Sequence, residues 1–171
     1  MVSDHVPLSH LISIGRERIS DLNERDKRRN PKAPRFSITA AVKSVPRRRL
    51  SVYHELTPDY YSATSKTFIG RIYKLFGLRN IADAADSSGT GFPQLSAEYI
   101  ISADPSLIVL ADTRCCAQSA KAVGNRPGWA GLAAVRRGNV IGIDDSVASR
   151  WGPRIVQFVR AVGKALRRHG G

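Results

Sequence analysis

Short apolar runs alternate with amphipathic stretches from Leu50 onward, which is the pattern of βα units rather than of a helical bundle. Three of these runs predict strands: Leu50–Glu55, Leu107–Ala111 and Asn139–Ile143. The second run is continuously apolar, as expected of a strand in a parallel sheet whose two faces are both covered. We therefore predict an α/β fold, a single Rossmann-like lobe in which helices flank a mostly parallel sheet.

Three amphipathic stretches predict helices in this lobe. The first is Thr67–Phe76, which ends at Gly77. Its predicted apolar face consists of Phe68, Ile69, Ile72, Leu75 and Phe76. The second helix, Ser96–Ala103, starts with a serine that is suited to capping it. The third begins at Pro153, and its predicted apolar stripe consists of Ile155, Val159, Val162 and Leu166.

Residues 1–49 do not show this alternation of apolar runs and amphipathic stretches. A weak helical pattern over 9–22 is interrupted by a basic segment that contains Pro31 and Pro34, and a second short helical piece stops at Pro46. We therefore predict a basic, partly helical N-terminal arm over residues 1–49 and a lobe over residues 50–169. The chain starts without the basic-then-apolar pattern of an export signal and has no run long enough to cross a bilayer, so we expect neither feature.

The formal net charge of +13 raises the question of a nucleic-acid partner, because clustered Lys and Arg side chains bind phosphates. The excess is divided almost equally between residues 1–50 and residues 51–171, and no helix-turn-helix, zinc-finger or aromatic RNA-binding motif accompanies it. We predict a basic, solvated surface and no nucleic acid, and a basic nucleic-acid-binding protein stays an alternative.

The cysteines are the neighbours Cys115 and Cys116, and a disulfide between adjacent residues would be strained, so we expect two buried thiols. A cysteine just past a strand has the placement of a nucleophile, but no glycine elbow surrounds it and the one histidine near the predicted strands is His54. Histidines and cysteines show no metal-ligand spacing. We predict no catalysis, no protein-bound metal and no resident cofactor.

Ligands of open parallel sheets bind outside the carboxyl ends of the strands. This rule selects the loops Thr57–Lys66, Asp112–Ala117 and Asp144–Trp151, and the loop Ser87–Gln94 is long enough to reach the same edge. These loops together form the predicted site.

Several side chains of these loops are candidates for ligand contact. Phe92 lies among turn residues and either lines the site or caps the core. Tyr60 and Tyr61 either stack on a flat ligand or pack normally, and adjacent residues of an extended segment cannot both face inward. Arg150 either forms an anion-attracting corner at a helix start or pairs with a neighbouring aspartate. The candidate ligand-binding set is Phe92, Arg150, Tyr60, Tyr61, Ser62, Asp145, Ser146 and Trp151.

Several segments follow the order and spacing of one known family. They include Asn80-Ile-Ala-Asp, Phe92-Pro-Gln-Leu-Ser-Ala-Glu98, Ala103-Asp-Pro-Ser-Leu-Ile, Arg126-Pro-Gly-Trp129 and Ser149-Arg-Trp-Gly-Pro-Arg154. On these motifs, the stretch from Leu50 to Arg168 resembles the C-terminal lobe of the periplasmic-binding domain of iron-siderophore, haem and cobalamin ABC importers, of the actinobacterial type.

The resemblance implies two α/β lobes with the ligand in the cleft between them, held by aromatic and arginine side chains. By motif position, the cleft aromatic falls on Phe92 and the cleft arginine on Arg150. The family docks on its transporter through exposed glutamates, and in this lobe that residue is Glu98. The implied function is a non-catalytic solute-binding component outside the cytoplasmic membrane. Its ligand would be an iron chelate, haem or cobalamin, and its partners would be ABC permease subunits.

The chain departs from the family in length. A full member is about twice as long and starts with an export signal, whereas the first lobe and its docking glutamate are missing here. Half a cleft buries about half of a ligand, so we expect weaker binding by the monomer. A truncated, transport-incompetent remnant is therefore the alternative.

Overall fold

The computed structural model describes residues 50–143 and 154–168, and all of these belong to one compact unit. The predicted N-terminal arm lies outside the described residues. Four parallel strands form a sheet in the order β2-β1-β3-β4. They are β1 (Ser51–Glu55), β2 (Arg79–Asn80), β3 (Leu107–Leu110) and β4 (Val140–Gly142). The predicted α/β fold and the three predicted strands are confirmed, while β2 is too short to show an apolar run.

Helices follow the strands along the chain, as in βα units. They are α1 (Phe68–Leu75), α2 (Ala97–Ala103), α3 (Ala120–Gly124), α4 (Ala133–Arg136) and α5 (Arg154–Arg168), with 3₁₀ turns at Ile81–Ala85 and Trp129–Gly131. Every residue of β1 and β3 is buried, because both strands lie inside the sheet. Within the described part of the chain, none of these helices has the length and apolar character that a membrane span requires.

The predicted apolar face of α1 is partly wrong. Phe68 and Leu75 are 38% and 54% exposed, whereas the buried face runs through Ile69, Ile72, Tyr73 and Phe76. This spacing of three, four and seven residues places the side chains over one another on a helix. Tyr73 can join the core because its hydroxyl has a partner there, the His54 ring.

The predicted caps and stripes of the other two helices are confirmed where they are described. The Ser96 hydroxyl accepts a hydrogen bond from the backbone N–H of Tyr99 at 3.1 Å. In α5, Val159, Val162 and Leu166 are buried, and the Ile155 side chain lies outside the described residues.

His54 is a fully buried neutral side chain on the α1 side of the sheet. Its Nδ1 lies 2.7 Å from the Tyr73 hydroxyl, and burial lowers its pKa from 6.5 to about 4. From about pH 6.5 down to about pH 4 the unfolded chain therefore binds a proton that the folded chain does not bind.

We expect the free energy of unfolding to fall across this window as the pH is lowered, by about 3 kcal/mol when the loss is complete. Urea unfolding at several pH values, for the native chain and for His54→Gln, measures the effect. The glutamine variant should lose this part of the pH dependence, and identical pH profiles for the two proteins would refute the assignment.

The expectation of two buried thiols is wrong. Cys115 and Cys116 are joined as a disulfide, with Cys115 exposed and Cys116 half-buried. They follow β3 in a segment that has already left the sheet, and the neighbouring Arg114 is exposed as well.

Candidate ligand-binding site

A sharp turn follows β1 at the carboxyl edge of the sheet. Tyr60 has a φ of 66°, in the left-handed region that non-glycine residues rarely adopt. Its N–H donates to the carbonyl of Thr57 at 3.0 Å, and the Leu56 N–H donates to the carbonyl of Tyr61 at 2.9 Å. The chain therefore doubles back over the end of β1.

Past this turn, the β1 loop pairs with the segment that precedes α2. Tyr61 and Gln94 form an antiparallel bridge. The N–H of Ser62 donates to Pro93 at 2.9 Å, that of Leu95 to Tyr60 at 3.1 Å, and that of Thr64 to Gly91 at 2.9 Å. Backbone hydrogen bonds thus join two of the loops that the sequence predicts to converge.

The two faces of this bridge differ in exposure. Ser62, Pro93 and Leu95 point into the protein and are buried. On the other face, Tyr61 is 42% and Phe92 is 53% exposed. In an antiparallel pair, residues offset by two across the strands lie about 7–8 Å apart on one face, within reach of aromatic side chains. We call Tyr61 and Phe92 the aromatic face.

Two polar side chains, the buried Asn80 and the exposed Asp83, hold the backbone of the β1 loop. The amide of Asn80 donates to the carbonyl of Ala63 at 2.7 Å, and the Asp83 carboxylate accepts from the N–H of Ser65 at 2.7 Å. The donating amide and the accepting carboxylate both belong to the Asn80-Ile-Ala-Asp motif, so this motif fixes the β1 loop.

Tyr60 faces inward, opposite to Tyr61. Its ring stacks on Trp129 with centroids 5.7 Å apart and an interplanar angle of 25°. The guanidinium carbon of Arg126 lies 5.4 Å from the Tyr60 centroid and 4.6 Å from that of Trp129. Tyr60 therefore belongs to a cation–π cluster and packs in the ordinary way.

Arg126 also forms a bidentate ion pair with Glu55, the last residue of β1. Its two terminal nitrogens lie 2.7 and 2.6 Å from the carboxylate oxygens, and Glu55 is fully buried. The Gln118 side-chain carbonyl accepts a further bond at 2.8 Å. Burial alone would lower the pKa of Arg126, but the carboxylate offsets this effect and the net shift is upward. Burial, with Glu55 nearby, also raises the pKa of Tyr53 far above its usual range.

The predicted site residues fall into three groups. Tyr61 and Phe92 share an exposed face, and Phe92 does not cap the core. Tyr60 packs inward and Ser62 is fully buried. The remaining candidates lie outside the described residues: Asp145, Ser146, Arg150 and Trp151.

Sequence reasoning missed the Glu55–Arg126 pair. The signal available was a carboxylate at the end of a predicted strand, because an acid that is buried there requires a partner. The partner lies 71 residues further along the chain, within the Arg126-Pro-Gly-Trp motif.

Glu98 lies in the first turn of α2 and is exposed. Its own backbone N–H and the Ser96 hydroxyl lower the pKa of its carboxyl group below the ordinary value, so the group stays ionised to a lower pH than a free glutamate. Among residues 50–143 and 154–168, no three His, Cys, Asp or Glu side chains cluster as metal ligands.

Known proteins share this architecture. A family model described as periplasmic binding protein matches residues 37–147. The chain belongs to the periplasmic binding protein family. The resemblance carried by the motifs is therefore confirmed at the level of the family, while its actinobacterial type and the roles of the site residues stay predictions.

Two curated relatives match most of the chain. YvrC of Bacillus subtilis (strain 168), described as an uncharacterized ABC transporter substrate-binding lipoprotein, is 31% identical over 118 residues, which is 68% of this chain and 35% of YvrC. A cobalamin-binding protein of Halobacterium salinarum is 32% identical over 132 residues, which is 76% of this chain and 35% of the relative. The chain thus spans about a third of the length of these relatives.

A solved structure shows the same fold. The periplasmic heme-binding protein HutB of Vibrio cholerae superimposes with a TM-score of 0.61 at 24% identity, over 75% of this chain and 51% of HutB. The likeness concerns the arrangement of the sheet and helices of about half of that protein.

Proposed function

We propose that the chain supplies the C-terminal, ligand-facing lobe of a non-catalytic solute-binding protein for an ABC importer of ferric siderophore, haem or cobalamin. The observation that carries the proposal is the aromatic face, two large aromatic residues that are exposed on the same face of the bridge at the carboxyl edge of a parallel sheet. Exposed aromatic pairs of this kind suit ligands with extended apolar faces. Arg150 is proposed to meet anionic groups of the ligand, with Asp145, Ser146 and Trp151 in the same loop.

The backbone around the aromatic face supports a preformed site. Three hydrogen bonds cross the bridge, and the Asn80 and Asp83 side chains hold the backbone of the β1 loop. Because the backbone that carries the two aromatic residues is already fixed, binding of a ligand loses little backbone conformational entropy. Membership of an extracytoplasmic family supports a location outside the cytoplasmic membrane.

Titration of the purified chain with haemin, cyanocobalamin and ferrioxamine B tests the proposal. We expect saturable binding of one of these probes, weakened at least about tenfold in Tyr61→Ala with Phe92→Ala and again in Phe92→Ala with Arg150→Ala. Leu75→Ala is the matched control, because Leu75 is an equally exposed apolar residue at the far end of α1. Absence of saturable binding for all three probes would refute ligand binding by this lobe and favour the transport-incompetent remnant.

We further propose that Glu98 binds basic side chains of the permease. Its charge, its exposure and its fixed place in the first turn of α2 support this role. Surface plasmon resonance against a purified ABC permease for ferric siderophore, haem or cobalamin measures the contact. Glu98→Arg should weaken binding at least about tenfold, because like charges would then face each other. The control is Asp59→Arg, an exposed acid outside α2, and equal losses in both variants would contradict a specific contact.

A further inference from the structure

We infer that Arg126 is the positioning residue of the aromatic face: through Glu55, Gln118, Tyr60 and Trp129 it sets the direction in which Tyr61 points. The purpose of this arrangement rests on the proposed function, but the contacts of Arg126 do not depend on any ligand. Arg126 lies beneath the site, with its side chain 13% exposed, and is therefore not a contact residue itself.

The first step concerns the backbone of Tyr60. A non-glycine residue in the left-handed region is held there only when its surroundings leave no alternative. The Tyr60 N–H and C=O are each engaged, by Thr57 and Leu95 respectively. Its ring packs against both the Trp129 indole and the Arg126 guanidinium, which also contact each other. Loss of the guanidinium removes one of these constraints.

The second step concerns what holds Arg126. The two terminal nitrogens of its guanidinium donate to the two carboxylate oxygens of Glu55 at the end of β1. One of these nitrogens also donates to the side-chain oxygen of Gln118 in the loop after β3. Gln118 in turn donates to the carbonyl of Cys116 at 3.3 Å. One guanidinium thus links the two loops at the carboxyl edge. A lysine could not reproduce this link, because its ammonium is a single point donor.

The third step connects this cluster to the exposed rings. Tyr60 fixes the start of the bridge, because its carbonyl accepts from the N–H of Leu95. From there the backbone is extended, and neighbouring residues of an extended segment point to opposite sides, so Tyr61 points outward while the buried Ser62 points inward. Tyr61 then pairs with Gln94, and the same bridge places Phe92 on the face that Tyr61 occupies. The orientation of the aromatic face therefore depends on a residue that lies on the other side of the bridge.

Amide exchange measured by NMR tests the inference without a ligand. In Glu55→Gln with Arg126→Met, which removes both charges together, we expect exchange at the N–H groups of Ser62, Thr64 and Leu95 to accelerate at least about tenfold. The amides of β3 report on global unfolding and should keep their rates. Arg71→Met is the control, because it removes the charge of an exposed arginine on α1 and should leave all three rates unchanged.

Arg126→Lys provides a second variant that keeps the charge opposite Glu55. We expect the same three amides to accelerate in it, because the single ammonium cannot bind Glu55 and Gln118 together. Rates within twofold of the native chain in whichever variant folds would overturn the inference, as would an equal acceleration of the β3 amides. In either variant, affinity for whichever of haemin, cyanocobalamin and ferrioxamine B the native chain binds should fall. If the native chain binds none of them, the proposed function fails and the exchange rates still decide the role of Arg126.

Discussion

Replacement of Trp129 by alanine is expected to lower the free energy of unfolding by about 3–5 kcal/mol. The indole is fully buried, packs edge-on against Tyr53 with centroids 6.2 Å apart, and carries both Tyr60 and the Arg126 guanidinium on its face. Its removal would leave a cavity beneath the β1 loop that the surrounding backbone cannot fill. Urea denaturation followed by far-UV circular dichroism measures the loss.

Leu75→Ala is the control for this substitution. Leu75 is 54% exposed, so the change should stay within about 0.5 kcal/mol. A loss below about 1 kcal/mol for Trp129→Ala would show that the cluster beneath the aromatic face is not part of the stable core.

Gly70→Ala is expected to be nearly as damaging, with a loss of about 3 kcal/mol or more. Gly70 lies inside α1, where an added Cβ would overlap the backbone carbonyl of Thr64 and come within 2.6 Å of the Cα of Ser65. Both neighbours are main-chain atoms of the β1 loop, so relief requires α1 and this loop to move apart. Thermal and urea unfolding of the variant measure the cost.

Gly163→Ala is the matched control within α5. A Cβ there would meet its nearest neighbours, the Arg167 and Phe76 side chains, at 3.5 Å or more, which is ordinary contact. Because alanine favours helices, this variant should gain about 0.5–1 kcal/mol. Equal and small effects at both glycines would contradict the close approach of α1 to the β1 loop.

Local pattern was sufficient to predict much of the fold. β3 is a continuous apolar run that is buried on both faces, as such a run requires. β1 mixes apolar and polar side chains, and it is buried throughout because it lies between β2 and β3 in the sheet. The α1 face was harder, because hydrophobicity alone favoured Phe68 and Leu75 over Tyr73. The tyrosine is buried only because the tertiary structure supplies the His54 ring as its partner.

The site was predictable at the level of loops and less so at the level of side chains. The rule that ligands bind at carboxyl ends of parallel strands selected the loops that carry Tyr61 and Phe92. Their juxtaposition depends on backbone hydrogen bonds between distant segments, which leave no side-chain signature in the sequence. The Glu55–Arg126 pair could not be predicted for a related reason, since the sequence around either residue does not indicate which residue is its partner.

The most direct test of the central claim is hydrogen–deuterium exchange of the full chain with and without saturating cyanocobalamin, haemin or ferrioxamine B. Haemin is anionic and the chain carries a formal charge of +13, so charge alone attracts haemin to the protein surface. The experiment must therefore show where on the chain a probe binds, and not only that it binds. The proposal predicts slower exchange in residues 57–66 and 91–95, the two segments that present Tyr61 and Phe92. Protection confined to the basic α5, or no protection by any of the three probes, would contradict it.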